Sequence, residues 1–252
     1  VGNRDGHGTN GPAQVPLGLS WLAGVVTIAG CCSSPDALVV DLRAPEINEM
    51  HIQSFVPWAP LNTPKFPPTQ TFCSSVAHLG DSTSVHLKMD YESIGVRDVR
   101  WEVLGGRSLV EHRAPKENGV QVAKRLVAAG FSGCWVIALG TNDAANLNRG
   151  SHVSGPGRVA RLMDVIGQDP VLWIDAATIT HHGWYTPDAM NSWNQELESV
   201  LCAYPTAQVY RWSEDVEPSW FVKDGIHYNR TGHGQRARHI EEALVRAFPD
   251  RG

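Results

Sequence analysis

From residue 73 onward the chain alternates short apolar runs with segments of helical periodicity, and that alternation restricts the fold more than any other feature. The apolar runs are Val76 to Gly80, Val99 to Leu104, Trp135 to Gly140, Val171 to Ala176 and Ala207 to Trp212. Each is strand-length and rich in apolar or β-branched residues. Between and after them Val159, Leu162, Met163 and Ile166 recur at helical spacing, as do Ile240, Ala243, Leu244, Ala247 and Phe248. Strands separated by helices predict an α/β fold of three layers, a parallel five-stranded sheet covered by helices on both faces. With 252 residues and 42% hydrophobic content, the chain can enclose one sizeable core.

Residues 1–72 read differently from residues 73–252. Val15 to Gly30 form the longest apolar stretch, with Leu17, Leu19, Trp21, Leu22, Val25, Val26 and Ile28. A membrane span needs about twenty such residues, so the stretch suits the core of an export signal better. Ile28-Ala29-Gly30-Cys31 resembles a bacterial lipobox, which implies a lipid anchor at Cys31; a chance match and the tail of a longer protein's transmembrane helix are the alternatives. Pro57, Pro60, Pro64, Pro67 and Pro68 then interrupt any periodicity, as in an extended arm. The expectation is an exported protein of the cell envelope or extracellular space, with lipid anchoring at Cys31 as one of the readings left open.

Three short motifs carry chemistry. Gly80-Asp81-Ser82-Thr83 follows the first apolar run, Gly140-Thr141-Asn142-Asp143 follows the third, and Asp224-Gly225-Ile226-His227 precedes the final helical pattern. In open parallel sheets ligands bind beyond the carboxyl ends of the strands, and the first two motifs fall there. Ser82 offers a hydroxyl nucleophile, but a hydroxyl needs a base to take its proton. His227 is the candidate base, since a free imidazole with a pKa of about 6.5 is mostly neutral at pH 7. Asp224 would fix its tautomer. The Asn142 side-chain amide, with the backbone amides of Ser82 and of a glycine in Leu104-Gly105-Gly106-Arg107, would stabilise the oxyanion of an acyl-transfer intermediate. Gly105 and Gly106 are adjacent, and either can present that amide. Singly, each residue has a commoner use: Asp81 caps a turn, Asn142 and Asp143 form loops, Asp224 with Gly225 makes a turn, and His227 is one of eleven histidines. The ordered set is what points to catalysis.

This order and spacing resembles the SGNH (GDSL-type) hydrolase family over about residues 73 to 248. The resemblance implies Ser82 as nucleophile, Gly105 as the second-block glycine, Asn142 as the third-block asparagine, and Asp224 and His227 as the last-block pair. It also implies a flavodoxin-like strand order 2-1-3-4-5. The segments Gly105 to Ser108, Gly133 to Asp143 and Asp224 to Tyr228 are similar to SGNH domains of actinobacterial envelope proteins, some of which follow a membrane-embedded acyltransferase domain; a membrane acyltransferase domain or protein is accordingly an expected partner.

The remaining features bound the function. A formal net charge of −5 with scattered Lys and Arg argues against a nucleic-acid partner. His181-His182 lacks helical ligand spacing and no acid or cysteine cluster joins it, so no metal and no cofactor are expected. Arg107, beside the oxyanion glycine, would either meet substrate or brace its loop, and Trp184 and Tyr185 would pack on a sugar or acyl group or anchor their loop. Of five cysteines, Cys73 and Cys134 precede neighbouring strands and are the first choice for a disulfide, with buried thiols as the alternative. The leading expectation is a serine esterase that removes small acyl groups, acetyl above all, from an acylated carbohydrate or glycolipid. The alternatives are an O-acyltransferase acting on envelope glycans and a noncatalytic glycan-binding SGNH domain.

Overall fold

Each of the five apolar runs forms a strand, because alternate residues along it find a hydrophobic layer on opposite sides. In a computed structural model of the protein, which describes residues 69–111 and 115–252, the strands are β1 (Ser75–Gly80), β2 (Asp98–Val103), β3 (Cys134–Ala138), β4 (Val171–Ile174) and β5 (Ala207–Tyr210). All pair in parallel, in the order β2-β1-β3-β4-β5. The fold is the three-layer α/β arrangement that the alternation predicts. The Val15 to Gly30 stretch, the lipobox at Cys31 and the proline-rich segment through Pro68 lie outside the described residues. Among the described residues no helix is long and apolar enough to cross a membrane.

Helices α1 (Gly119–Ala128), α2 (Thr141–Asn148), α3 (Gly155–Ile166) and α4 (Pro187–Leu201) lie on one side, followed along the chain by the one-turn α5 (Trp212–Asp215) and by α6 (Arg230–Ala247). Ala77, Leu79, Trp135, Ile137 and Trp173 of the sheet bury against Leu126, Leu162, Met163, Trp193 and Leu197. On the opposite face Val76, Val136 and Leu172 meet Ile240 and Leu244 of α6. Truncating a core leucine such as Leu162 to alanine would cost about 2–5 kcal/mol. Caps define the helix starts: Asn118 and Gln121 form a reciprocal capping box on α1, and Ser154, Thr186 and Asn229 cap α3, α4 and α6.

Four strands stop earlier than their apolar runs, β2 by a single residue. After β3, Gly140 takes φ +149° and starts α2. Beyond β4, Asp175 turns aside to accept the Ser213 amide at 2.7 Å, and beyond β5 Trp212 already opens α5. These departures place loops over the carboxyl ends of the strands. At the other end Cys73 and Cys134 form a disulfide with their Cα atoms 5.6 Å apart. Cys202, at the end of α4, is itself disulfide-bonded. The packed unit also reaches back past residue 73, since Thr71 pairs with Pro249 and its hydroxyl donates to the Phe248 carbonyl at 2.5 Å.

One buried polar group stands out in the α6-side layer. His78 of β1 is fully buried, its Nδ1 2.7 Å from the Tyr91 hydroxyl and its ring 4.4 Å from that of Trp101. Burial, aided by the positive charge of Arg236, pushes the imidazole pKa down to about 3.

Candidate active site

The loop after β1 is held by its aspartate. Asp81 is fully buried, and its Oδ1 accepts the Thr83 amide at 2.8 Å and the Thr83 hydroxyl at 2.7 Å. Burial raises its pKa against the opposing effect of these bonds. Ser82, half-buried, follows on the rim. Consecutive turns then carry the chain onward, with the Ser84 amide bonded to Asp81 O at 3.1 Å and the Leu87 amide to Ser84 O at 3.1 Å. A helix beginning just past Ser82 would bring its N-terminal dipole to that hydroxyl, but this Ser/Thr-rich stretch prefers local turns and no helix begins there.

The two adjacent glycines after β2 have separate tasks. Gly106 adopts φ +74° in a turn closed by the Arg107 amide on Leu104 O at 3.2 Å. Gly105 faces Ser82: a Cβ placed on it would lie 3.9 Å from Ser82 Cβ. Arg107 turns inward. Its Nε donates to Glu117 O at 3.2 Å and its Nη1 to Glu102 O, so the side chain braces the oxyanion loop and is buried away from any substrate. Of the two alternatives for Arg107 this geometry fits the bracing one, with two of its five N–H donors on backbone carbonyls.

Asn142 is the second residue of α2. The helix start is fixed by Gly140, whose site would put a Cβ 2.4 Å from Trp193 Nε1. The Asn142 Nδ2 donates to Asp81 Oδ2 at 3.2 Å and to Arg107 O at 3.0 Å, while its Oδ1 accepts from the Tyr185 hydroxyl at 3.1 Å. The amide thus links the first block, the second block and the loop after β4. Next to it, Asp143 accepts the Leu109 amide and pairs with Arg158. Arg158 also bonds Glu111 and the Ser151 hydroxyl. Burial works against the Arg158 charge, but Glu111 and Asp143 more than offset it and hold its pKa up.

The last block completes the constellation. Asp224 Oδ1 accepts the amides of Ile226 at 2.8 Å and His227 at 2.9 Å, an Asx turn that needs Gly225 at φ +68°. Its Oδ2 lies 2.7 Å from His227 Nδ1, and His227 Nε2 lies 2.9 Å from Ser82 Oγ. A carboxylate can only accept, so the proton sits on Nδ1 and the Nε2 lone pair faces the serine. Burial raises the Asp224 pKa, but the His227 side chain and the two amides outweigh it and hold the carboxyl below its usual range. This loop is fastened to the one after β4 by the Ile179 amide on Gly225 O at 2.8 Å.

The structure therefore brings Ser82, Gly105, Asn142, Asp224 and His227 to one rim. Trp184 lies in the same loop as Tyr185, 45% exposed, with the Arg149 guanidinium 5.9 Å from its ring; Tyr185 instead points its hydroxyl at Asn142. His181 and His182 are exposed. Sequence reasoning missed Arg158, although a signal was present: it occupies the buried stripe of α3 with Val159, Leu162 and Met163. Tyr185's link to Asn142 left no local signal, because 43 residues separate the partners.

Solved structures share this fold. A lipase/acylhydrolase from Enterococcus faecalis matches with a TM-score of 0.55 and 17% identity, over 71% of this chain and 99% of that one. The native aryl esterase of M. smegmatis matches with a TM-score of 0.53 and 14% identity, over 70% of this chain and 100% of that one. No family model matches the chain, and no curated protein matches it. At these identities the likeness establishes a common fold.

Proposed function

We propose that this chain, which has the fold of the SGNH hydrolases, is a serine esterase that removes small acyl groups, acetyl in particular, from carbohydrate or glycolipid esters. One observation carries the reading: Ser82 Oγ, His227 Nε2 and Asp224 Oδ2 form a continuous hydrogen-bonded line at 2.9 and 2.7 Å. Ser82 Oγ attacks the ester carbonyl while its proton passes to His227 Nε2, and Asp224 stabilises the imidazolium. The negative charge moves onto the carbonyl oxygen, facing the Ser82 and Gly105 amides and Asn142, each donor worth about 3–4 kcal/mol in such sites. Collapse expels the alcohol, which takes the proton from His227. Water then attacks the acyl-serine with His227 again as base, releasing the acid and restoring Ser82.

The openness of the site supports small acyl groups on bulky polar alcohols. The side chains of His227 and Asp224 are 42% and 45% exposed, and Trp184 offers a flat face for a sugar ring. The Cys73–Cys134 disulfide supports export, since such bonds persist in oxidising compartments. Lipid anchoring at Cys31 and association with a membrane acyltransferase belong to the same proposal.

The test is fluorophosphonate labelling together with hydrolysis of p-nitrophenyl acetate and an acetylated sugar. Labelling and turnover that vanish in Ser82→Ala support the esterase; an inert wild type leaves the noncatalytic glycan-binding reading. Accumulation of acylated sugar at the expense of free acetate, when an acceptor is added, identifies an O-acyltransferase. Faster cleavage of long-chain triglycerides than of acetylated sugars would refute the carbohydrate assignment.

A further inference from the structure

We propose that the hydroxyl of Tyr185 is a positioning group for catalysis, fixing and polarising the Asn142 amide that faces the oxyanion. The assignment rests on the esterase reading above. Its geometric basis is the pattern of partners around one side chain. On one side Asn142 meets Asp81 Oδ2 at 3.2 Å and the Arg107 carbonyl at 3.0 Å. A backbone carbonyl accepts only, and both hydrogens of the NH2 group are accounted for, so the nitrogen end of the amide is fixed by chemistry. The other end is then the carbonyl oxygen, and the Tyr185 hydroxyl at 3.1 Å must donate to it.

Donation to an amide oxygen draws electron density away from the nitrogen and makes its N–H groups stronger donors, as in any hydrogen-bonded chain. Asn142 needs that strength. Its two Nδ2 hydrogens already serve Asp81 and Arg107, so an oxyanion must share them. Tyr185 is itself well held. Its ring is half-buried against the helical layer containing Trp193 and Met190, its carbonyl accepts the Thr178 hydroxyl at 2.6 Å, and the preceding carbonyl, of Trp184, accepts Asn148 Nδ2 at 3.1 Å. The loop after β4 therefore presents an aromatic to solvent at Trp184 and, one residue later, a fixed donor to the oxyanion amide.

Tyr185→Phe keeps the ring and removes only the donor. We expect kcat for p-nitrophenyl acetate to fall about three- to tenfold, the worth of a neutral hydrogen bond, with KM unchanged. In an Asn142→Ala background the same substitution should have no further effect on kcat, because the amide through which it acts is gone. An unchanged kcat, an equal fall in both backgrounds, or a rise in KM alone would overturn the assignment, the last making Tyr185 a substrate contact. Fluorophosphonate labelling of the wild type separates the two levels of the argument: inert wild-type protein overturns the esterase reading and this role together, whereas a labelled, active wild type matched by Tyr185→Phe overturns this role alone.

Discussion

Arg158 and Asp143 form an ion pair at 2.8 Å with both side chains completely buried. The pair joins α3 to the start of α2, and through the Leu109 amide on Asp143 it also holds the chain after Gly105. Arg158→Met should therefore strand a buried carboxylate and lower unfolding free energy by about 3–5 kcal/mol. Urea denaturation measures the loss, and a fall in kcat should accompany it. A Met variant as stable as the wild type would show that the pair contributes no net stability.

His78 predicts how stability depends on acid. Its folded pKa of about 3 lies below the unfolded imidazole value of about 6.5. Between these limits the unfolded chain binds the extra proton, so stability conferred by the neutral ring is present at pH 7 and lost as pH falls. From pH 7 to pH 5 this group alone should cost about 2 kcal/mol. Denaturation of His78→Phe at both pH values should show a correspondingly shallower decline, and equal declines in the two proteins would refute the assignment.

Much of this arrangement is legible in the sequence, and the rest fails for identifiable reasons. Strands β1, β3 and β4 announce themselves because they are buried on both faces and so almost wholly apolar, whereas the edge strands β2 and β5 are part-exposed and admit Arg100, Glu102 and Gln208. Ser82, His227 and Asn142, the proposed nucleophile, base and oxyanion donor, are legible because each sits in a short motif at a strand end or before the last helix. What escapes is whatever depends on distant partners. Arg107 lies beside the oxyanion glycine in sequence, yet the carbonyls of Glu102 and Glu117 turn it inward. Asp143 looks like an ordinary loop residue until Arg158, fifteen positions later, is folded against it.

Gly225 ties two loops together, and a side chain there should separate them. It holds φ +68°, and a Cβ would approach the Thr180 backbone nitrogen to 2.9 Å. Gly225→Ala should carry about 1–2 kcal/mol of left-handed strain plus the collision. Gly130, at φ +83° with nothing within 4 Å of its Cβ position, supplies the comparison. Gly225→Ala should lose more stability than Gly130→Ala and, unlike it, should lose kcat. Equal effects on both measures would mean that the contact with Thr180 is inconsequential.

The Asp224 carboxyl, held below its usual range, should stay ionised across the pH range of the assay. Asp224 should therefore add no proton to the acid limb of the activity profile, and kcat/KM should fall no more steeply than unit slope above pH 5. Asp224→Asn should lower kcat by about 10²- to 10⁴-fold through loss of tautomer control. A slope approaching two above pH 5 would place the titration of Asp224 in that range and contradict its hydrogen-bond pattern.

The disulfide between Cys73 and Cys134 fastens the N-terminal ends of β1 and β3, whereas Ser82 and Asn142 emerge from the opposite ends of those strands. A covalent pin at that position prevents β1 from slipping against β3 whatever happens at the far end. Tolerance to change is thereby divided along the length of two strands. The exposed side chains of Trp184 and Val222 can be exchanged while Tyr185, Asp224 and His227 in the same loops are kept, which makes these two positions of the rim the natural place to alter what the proposed esterase accepts.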